Sequence, residues 1–290
     1  MVSFESRLAE PFLRITDREK KEGLHRFINW MESPEPPRKM YEKYNIGKRE
    51  LNGRNVFTLS PKGKAGEHHI LYLHGGAFIK NFCKQHWQFL GRLVNELHCT
   101  VTAPDYPLAP KHTYKDAFEM VLPVYKELVK KVDPDNLTVM GDSAGGGMSL
   151  ALAQRLRREK VEQPKNLILL SPWLDVTMSN ADIGEVDEKD PMLGVQGLIA
   201  AGKMYAGDAD PNCYLISPIN GSLKGLGRIT LFIGTHDVLI ADCRKLKAKA
   251  EAEDVKIDYH EREGMMHVWM LFSFRESKDA MEQIIEAVRK

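Results

Sequence analysis

The sequence lacks a long hydrophobic run. In 290 residues, no stretch of about eighteen apolar residues occurs, which is the length that a membrane-spanning helix needs. The first twenty residues carry a charge every few positions and lack the apolar core of a secretory signal. These absences argue against a membrane span and against export, so we expect a cytoplasmic protein.

An excess of charge of either sign is also missing. Lys and Arg total 41 and Asp and Glu total 40, so no global field attracts nucleic acid or an anionic membrane surface. We therefore expect a small-molecule substrate and no nucleic-acid partner. The oligomeric state is open, with a homodimer as one option.

Cysteine is scarce, and binding motifs for metals or nucleotides are absent. The four cysteines have no C-x-x-C spacing and are expected to be reduced thiols; they are Cys83, Cys99, Cys213 and Cys243. No His or carboxylate group has metal-ligand spacing, and no G-x-G-x-x-G follows a predicted strand. The sequence predicts no metal and no cofactor.

From about residue 68, short apolar runs alternate with helical patterns. Several runs are β-branched and apolar on both faces, as strands covered by helices on both sides should be. The predicted strands are 69–73, 100–103, 137–140, 167–170, 229–233 and 255–259, and the predicted helices are 87–97, 114–132, 145–160 and 239–252. The alternation predicts an α/β fold with a mostly parallel central sheet flanked by helices.

Two segments fall outside this alternation. Residues 1–45 show apolar positions at helical spacing, and residues 177–218 are far longer than a connection between two strands needs. We expect helical caps in both, around a catalytic domain at 46–290, although plain packing helices are an alternative. Apolar residues in them favour an apolar acyl or aryl pocket, or simple helix packing: Phe4, Phe12, Met192, Leu193, Met204 and Tyr205.

The stretch 137–147 holds the most specific motif. A predicted buried strand runs into Gly141-Asp-Ser143-Ala-Gly145, and a helical pattern follows. A G-x-S-x-G sequence between a strand and a helix is typical of a nucleophile elbow, whose sharp turn exposes the serine hydroxyl. The serine also lies at a helix N-terminus, which favours developing negative charge. The alternative is an incidental Ser-Gly turn; the context predicts Ser143 as a nucleophile.

A glycine-rich loop follows the strand 69–73. Attack on an ester creates an oxyanion that backbone N–H groups must stabilise, and small residues leave those groups accessible. In His74-Gly75-Gly76-Ala77, we expect Gly76 and Ala77 to donate and Gly75 to shape the loop. Ala144, the residue after the predicted nucleophile, would complete the oxyanion hole.

Ten histidines compete for the role of general base. His267 follows the last predicted strand and precedes the closing helix. This position fits the chain order of nucleophile, acid and base in enzymes with a nucleophile elbow. Asp237, just after the strand 229–233, is the expected orienting acid. Asp242, five residues further on, is the alternative.

As a set, these motifs resemble the hormone-sensitive-lipase branch of the α/β-hydrolase family. The matching stretches are the glycine loop at 74–78, Asp-Tyr-Pro-Leu-Ala-Pro at 105–110, Gly-Asp-Ser-Ala-Gly-Gly at 141–146, Asp-Val-Leu at 237–239 and the histidine loop at 264–267. The resemblance implies the α/β-hydrolase fold and a Ser-His-Asp triad. The sequence departs from the branch at Ala77, where a third glycine is common, and at Pro107, where arginine is usual.

The leading hypothesis is a carboxylic-ester hydrolase, of the serine carboxylesterase or lipase type, acting on short to medium acyl or aryl esters through an acyl-enzyme. An amidase or deacetylase acting on small aryl amides or formamides is the alternative, because the same machinery serves both. A ligand receptor descended from this branch is a third hypothesis. The presence of Ser143, Asp237 and His267 argues against it.

Overall fold

The computed structural model describes Val2, Ser3, Ser6 and residues 32–290. These residues form one eight-stranded sheet in the order β1-β2-β4-β3-β5-β6-β7-β8. Its strands are β1 (Tyr44–Leu51), β2 (Arg54–Pro61), β3 (His69–Leu73), β4 (Thr100–Pro104), β5 (Leu137–Asp142), β6 (Asn166–Leu170), β7 (Arg228–His236) and β8 (Ile257–Met266). From β4 to β8 all neighbours are parallel.

The predicted α/β fold is confirmed. The six predicted strands correspond to β3 to β8, and every residue of β5 and β6 is buried. Strands covered on both faces must be apolar on both faces, which is why they appear in the sequence as continuous apolar runs.

The hairpin of β1 and β2 was not among the predicted elements. Its two strands pair antiparallel, and β2 also pairs antiparallel with β4. The turn is Asn52-Gly53, and both residues have positive φ, 52° and 73°. An Asn-Gly pair with this geometry is the usual two-residue hairpin connection, so the sequence did carry a signal for it.

Helices cover the sheet. They are α1 (Arg38–Lys43), α2 (Lys84–Leu97), α3 (Tyr114–Leu128), α4 (Ala144–Arg158), α5 (Gly184–Asp187), α6 (Val195–Ala206), α7 (Ile240–Ala252) and α8 (Arg275–Arg289). Helix α4 contacts β3, β5 and β6, and nearly all of its side chains are buried. The helix that follows the G-x-S-x-G motif is therefore part of the core.

The structure describes one of the two predicted cap segments fully and the other only in part. Residues 177–218 contain α5 and α6. Most of 1–45, including Phe4 and Phe12, lies outside the described residues. At the start of the chain, Ser3 and Ser6 donate hydrogen bonds to the carboxylate of Glu276 on α8. The role of either segment as a cap stays a prediction.

Strand register brings the predicted site residues to one edge. Leu73 pairs with Gly141, and Asp142 pairs with Leu170, so the glycine loop and the serine turn leave the sheet side by side. A bulge between β7 and β8 places His236 opposite Met266. The next residues along the two strands are Asp237 and His267.

All four cysteines are free thiols. Within the described part of the chain, no helix has both the length and the apolar composition to cross a membrane.

Candidate active site

Ser143 lies in the turn between β5 and α4. Its backbone has φ 52° and ψ −122°, a region that non-glycine residues rarely occupy and that marks stored strain. Three hydrogen bonds hold the turn: the Ser143 amide donates to Leu170, and its carbonyl accepts from Gly147 and Trp173 at 3.1 and 2.9 Å. The surrounding backbone thus imposes the strained conformation.

Close packing of strand and helix explains the two glycines of the motif. A Cβ on Gly145 would lie 2.0 Å from the carbonyl oxygen of Leu73, and one on Gly141 would lie 2.4 Å from the carbonyl oxygen of Gly145. No side chain fits at either position without moving backbone. The spacing of the motif is therefore a steric requirement of the turn.

His267 and Asp237 form a buried pair. The imidazole Nδ1 lies 2.8 Å from Asp237 Oδ2, and the two residues are 4% and 0% exposed. The other carboxylate oxygen of Asp237 accepts from the Leu239 amide at 3.0 Å. A carboxylate facing Nδ1 keeps the proton on that nitrogen and leaves Nε2 as the basic one.

Neighbouring carboxylates favour the charged form of His267. Burial lowers the pKa of the imidazole, but Asp237, and less strongly Asp190 and Asp142, raise it by more. The net effect is a pKa above the ordinary value. A positive charge that forms on this ring during a reaction would therefore be stabilised.

Asp242, the alternative acid, faces elsewhere. Its Oδ1 accepts a hydrogen bond from Asn180 Nδ2 at 2.9 Å, and burial raises its pKa to about 6. The carboxylate that contacts His267 is that of Asp237.

The glycine loop has an unusual backbone. Gly76, Ala77 and Phe78 all have positive φ, at 115°, 51° and 62°. A Cβ on Gly76 would lie 2.6 Å from the carbonyl oxygen of Lys80. Among the described residues, the amides of Gly76 and Ala77 have no hydrogen-bond acceptor, whereas the Gly75 amide donates to Asp142.

Asp142 fixes this loop. Its Oδ1 accepts from the Gly75 amide at 2.9 Å and from the Tyr72 hydroxyl at 2.6 Å, and Oδ2 lies 3.2 Å from His86 Nε2. The Cys83 amide donates to His86 Nδ1 at 3.0 Å. His86 therefore donates to Asp142 through Nε2.

His86 had no role in the sequence analysis, because it lies on a helix far from the ordered set of motifs. Its position three residues after the helix N-cap, in a ring-to-backbone capping arrangement with Cys83, is a local signal that a capping argument could use. Asp190, in the segment 177–218, was not among the predicted site residues either. Its carboxylate interacts electrostatically with Asp237 and His267.

One cavity joins the site residues. Ser143, His267 and Gly76 line it, together with the apolar side chains of Leu193 and Val268, and its volume is about 40 Å³. Ala77 and Ala144 are buried next to Gly76 and Ser143 in the chain. The structure therefore brings every predicted site residue to the same edge of the sheet. Among the described residues, no three His, Cys, Asp or Glu side chains are grouped so as to hold a metal ion.

The segment 177–218 contacts the glycine loop through an aromatic stack. The ring of Phe78 lies parallel to that of Tyr205 on α6, with centroids 3.6 Å apart and an interplanar angle of 7°. Trp173 stacks on Phe78 as well, at 5.7 Å. Asp142 thus holds the loop through a hydrogen bond at the end of β5, and Tyr205 packs against it from the segment 177–218.

Comparison with known proteins identifies the family of the chain. Residues 70–271 match the family model described as alpha/beta hydrolase fold. An esterase of Acinetobacter venetianus is 33% identical over 221 residues, covering 75% of this chain and 73% of the relative. An acetyl-hydrolase of Streptomyces hygroscopicus is 29% identical over 201 residues, covering 69% of this chain and 67% of the relative.

A crystal structure of an esterase/lipase from an uncultured bacterium superposes with a TM-score of 0.85 at 27% identity, covering 99% of this chain and 98% of that one. The chain thus groups with carboxylesterase- and lipase-like hydrolases. As its resemblance to the hormone-sensitive-lipase branch predicts, the chain belongs to the alpha/beta hydrolase fold family.

Proposed function

We propose that the protein is a carboxylic-ester hydrolase in which Ser143 is the nucleophile, His267 the general base and Asp237 the orienting acid. The observation that carries the proposal is the buried hydrogen bond of 2.8 Å between His267 Nδ1 and Asp237 Oδ2, beside a cavity that Ser143 also lines. A serine in a strained turn, with a base oriented by a buried carboxylate, is the arrangement that acyl transfer uses.

In the first step, Ser143 Oγ bonds to the ester carbonyl carbon while its proton moves to His267 Nε2. The carbonyl π pair moves onto oxygen, where the amides of Gly76, Ala77 and Ala144 donate to it. The oxyanion then collapses, the bond from carbon to the alcohol oxygen breaks, and the leaving alcohol takes the proton from His267. The product is an acyl-enzyme.

The second step repeats the first with water. His267 Nε2 accepts a proton from water as the water oxygen bonds to the acyl carbon, and a second oxyanion forms. When this oxyanion collapses, the bond from carbon to Ser143 Oγ breaks, Oγ takes the proton back from His267, and the acid is released. Asp237 keeps the ring orientation through both steps and stabilises the imidazolium that each one forms.

The lining of the cavity and one of the relatives favour short acyl groups. Leu193 and Val268 supply an apolar wall. The relative described as an acetyl-hydrolase also supports a preference for short acyl groups.

The test is hydrolysis of p-nitrophenyl esters from acetate to palmitate, beside the matching anilides. We expect kcat/KM to be highest for acetate or propionate, to fall as the chain lengthens, and to be far lower for the anilides. Ser143→Ala should abolish hydrolysis and labelling by a fluorophosphonate probe. Ser149→Ala is the matched control, because this buried serine of α4 only donates to the Gly145 carbonyl.

Full activity in the Ser143→Ala protein would overturn the mechanism. Faster hydrolysis of anilides than of esters would instead identify an amidase with the same nucleophile.

A further inference from the structure

Asp190 is a buried acid in the segment 177–218, and its carboxylate contacts residues on two sides of the candidate site. Asp190 is 1% exposed. Its Oδ1 accepts from the amides of Met192 and Leu193 at 2.7 and 2.8 Å, and its Oδ2 accepts from the Val238 amide at 2.8 Å. One carboxylate therefore joins the segment that carries Leu193 to the turn that carries Asp237.

These contacts suit the ionised carboxylate. Three N–H groups donate to its two oxygens, and hydrogen bonds from N–H donors favour the charged form of a carboxyl group. Burial and the nearby Asp237 act in the opposite direction and raise the pKa of Asp190 to about 7. A second buried negative charge beside Asp237 is costly unless a positive charge forms close to both of them.

Such a charge forms on His267 in each step of the proposed reaction. The groups that act on this ring are Asp237, which is hydrogen-bonded to Nδ1, then Asp190 and Asp142, and each of the three raises its pKa. Asp237 and Asp142 already have direct contacts that explain their places. Among the described residues, Asp190 forms no hydrogen bond with Ser143 or His267, so its effect on the ring acts through space and through the Asp237 turn.

We propose that Asp190 is a positioning residue for ester hydrolysis: it holds the Asp237 turn against the Leu193 wall, and its charge stabilises the imidazolium of His267. The inference rests on the proposed function, because it needs His267 to be the base. The segment 177–218 would then assist proton transfer, in addition to any role in selecting the substrate.

The test is the pH profile of kcat/KM on p-nitrophenyl acetate between pH 5 and 9, with active sites counted by fluorophosphonate titration. For Asp190→Asn, which is nearly isosteric but uncharged, we expect the acid limb to move to lower pH by roughly half to one unit. We expect kcat per titrated site to fall about tenfold, less than the 10²–10³ that a direct oxyanion donor contributes. Asp190→Glu keeps the charge and should leave the limb close to its original position.

Asp242→Asn is the matched control. Asp242 is another buried acid with a raised pKa, but its partner is Asn180, so the limb should stay in place. If Asp190→Asn yields too few titratable sites, Asp190→Ser keeps an acceptor in a smaller side chain and is measured in the same way.

An Asp190→Asn protein with an unshifted limb and an unchanged kcat per titrated site would overturn the inference. A lower count of active sites with an unshifted limb would show a purely structural role and would overturn it equally. Failure of the proposed function is a separate result, since it appears as activity in Ser143→Ala whatever Asp190→Asn does.

Discussion

Asp142 accepts a hydrogen bond of 2.9 Å from the backbone amide of Gly75. Asp142 is the residue before Ser143, and Gly75 is the residue before Gly76. One carboxylate therefore sets the distance between the nucleophile turn and the loop that would donate to the oxyanion. This distance is fixed by the protein before a substrate binds, which is the condition for electrostatic preorganisation.

Replacing Asp142 should therefore lower turnover more than substrate binding. For Asp142→Ala we expect kcat to fall roughly 10- to 100-fold, with a smaller change in KM, because the Gly76 and Ala77 amides lose their position in the transition state. Steady-state kinetics on p-nitrophenyl acetate measures this. Tyr72→Phe, which removes only the hydroxyl bonded to Asp142, should cost less than tenfold. Equal losses in the two variants would contradict the assignment.

Asp237 and Asp242 can be distinguished by the same substitution. We expect Asp237→Asn to lower kcat by roughly 10²–10⁴, since an amide at this position favours the wrong tautomer of His267. Asp242→Asn should leave kcat within about twofold, because Asp242 is hydrogen-bonded to Asn180 and the carboxylate on His267 is that of Asp237. Single-turnover hydrolysis of p-nitrophenyl acetate measures the chemical step. A larger loss in Asp242→Asn would restore it as the orienting acid.

Two glycines should respond oppositely to alanine. At Gly145, a Cβ would lie 2.0 Å from the Leu73 carbonyl oxygen, so Gly145→Ala should lower the free energy of unfolding by more than about 3 kcal/mol. Gly184, at the start of α5, has no atom within 4 Å of an added Cβ, and Gly184→Ala should raise it by about 0.4–1 kcal/mol. Urea unfolding curves measure both, and a stable Gly145→Ala protein would contradict the packing described for the turn.

Buried His74 should make the fold sensitive to acid. Burial, and secondly His86, lowers the pKa of His74 to about 3, against about 6.5 in an unfolded chain. Below pH 6.5 the unfolded chain takes up a proton that the folded protein does not bind. The free energy of unfolding therefore falls as the pH drops from 6.5 towards 3, at up to about 1.4 kcal/mol per unit for this residue.

The variant His74→Phe should make that slope shallower between pH 6 and 4. A phenyl ring can take the place of the imidazole, which stacks on Tyr106 with centroids 4.3 Å apart and lies tilted against Phe82 at 4.2 Å. The measurement is the change of the free energy of unfolding with pH, from urea unfolding at several pH values. His98→Asn is the control: His98 is exposed and has a left-handed backbone conformation, which asparagine tolerates. An unchanged slope in His74→Phe would contradict the pKa shift of His74.

The motifs that the sequence predicts are those in which local geometry demands particular residues. Gly141 and Gly145 are needed because helix and strand backbones nearly touch, so the turn around Ser143 is visible in a short window. The parallel strands are visible because both of their faces are buried. Because the carboxyl ends of parallel strands meet at one edge of the sheet, the topology then predicts that Asp237 and His267 lie close to Ser143.

Contacts between distant segments could not be predicted in this way. Asp190 precedes Asp237 by a long stretch of the insertion, and no periodicity connects the two. The bulge that pairs His236 with Met266 is likewise a property of two strands together. The hairpin at Asn52-Gly53 is different: its turn residues are a local signal, but β1 beside the turn is largely exposed and shows no apolar run.

The stack of Phe78 on Tyr205 has a consequence for anyone who would redesign the pocket. Replacing the segment 177–218 to admit a larger acyl group would remove the ring that packs against the glycine loop, so selectivity and turnover would change together. Grafted caps should therefore retain a flat aromatic ring at position 205, and libraries of cap variants should be screened on a fixed small ester before any new substrate is tried.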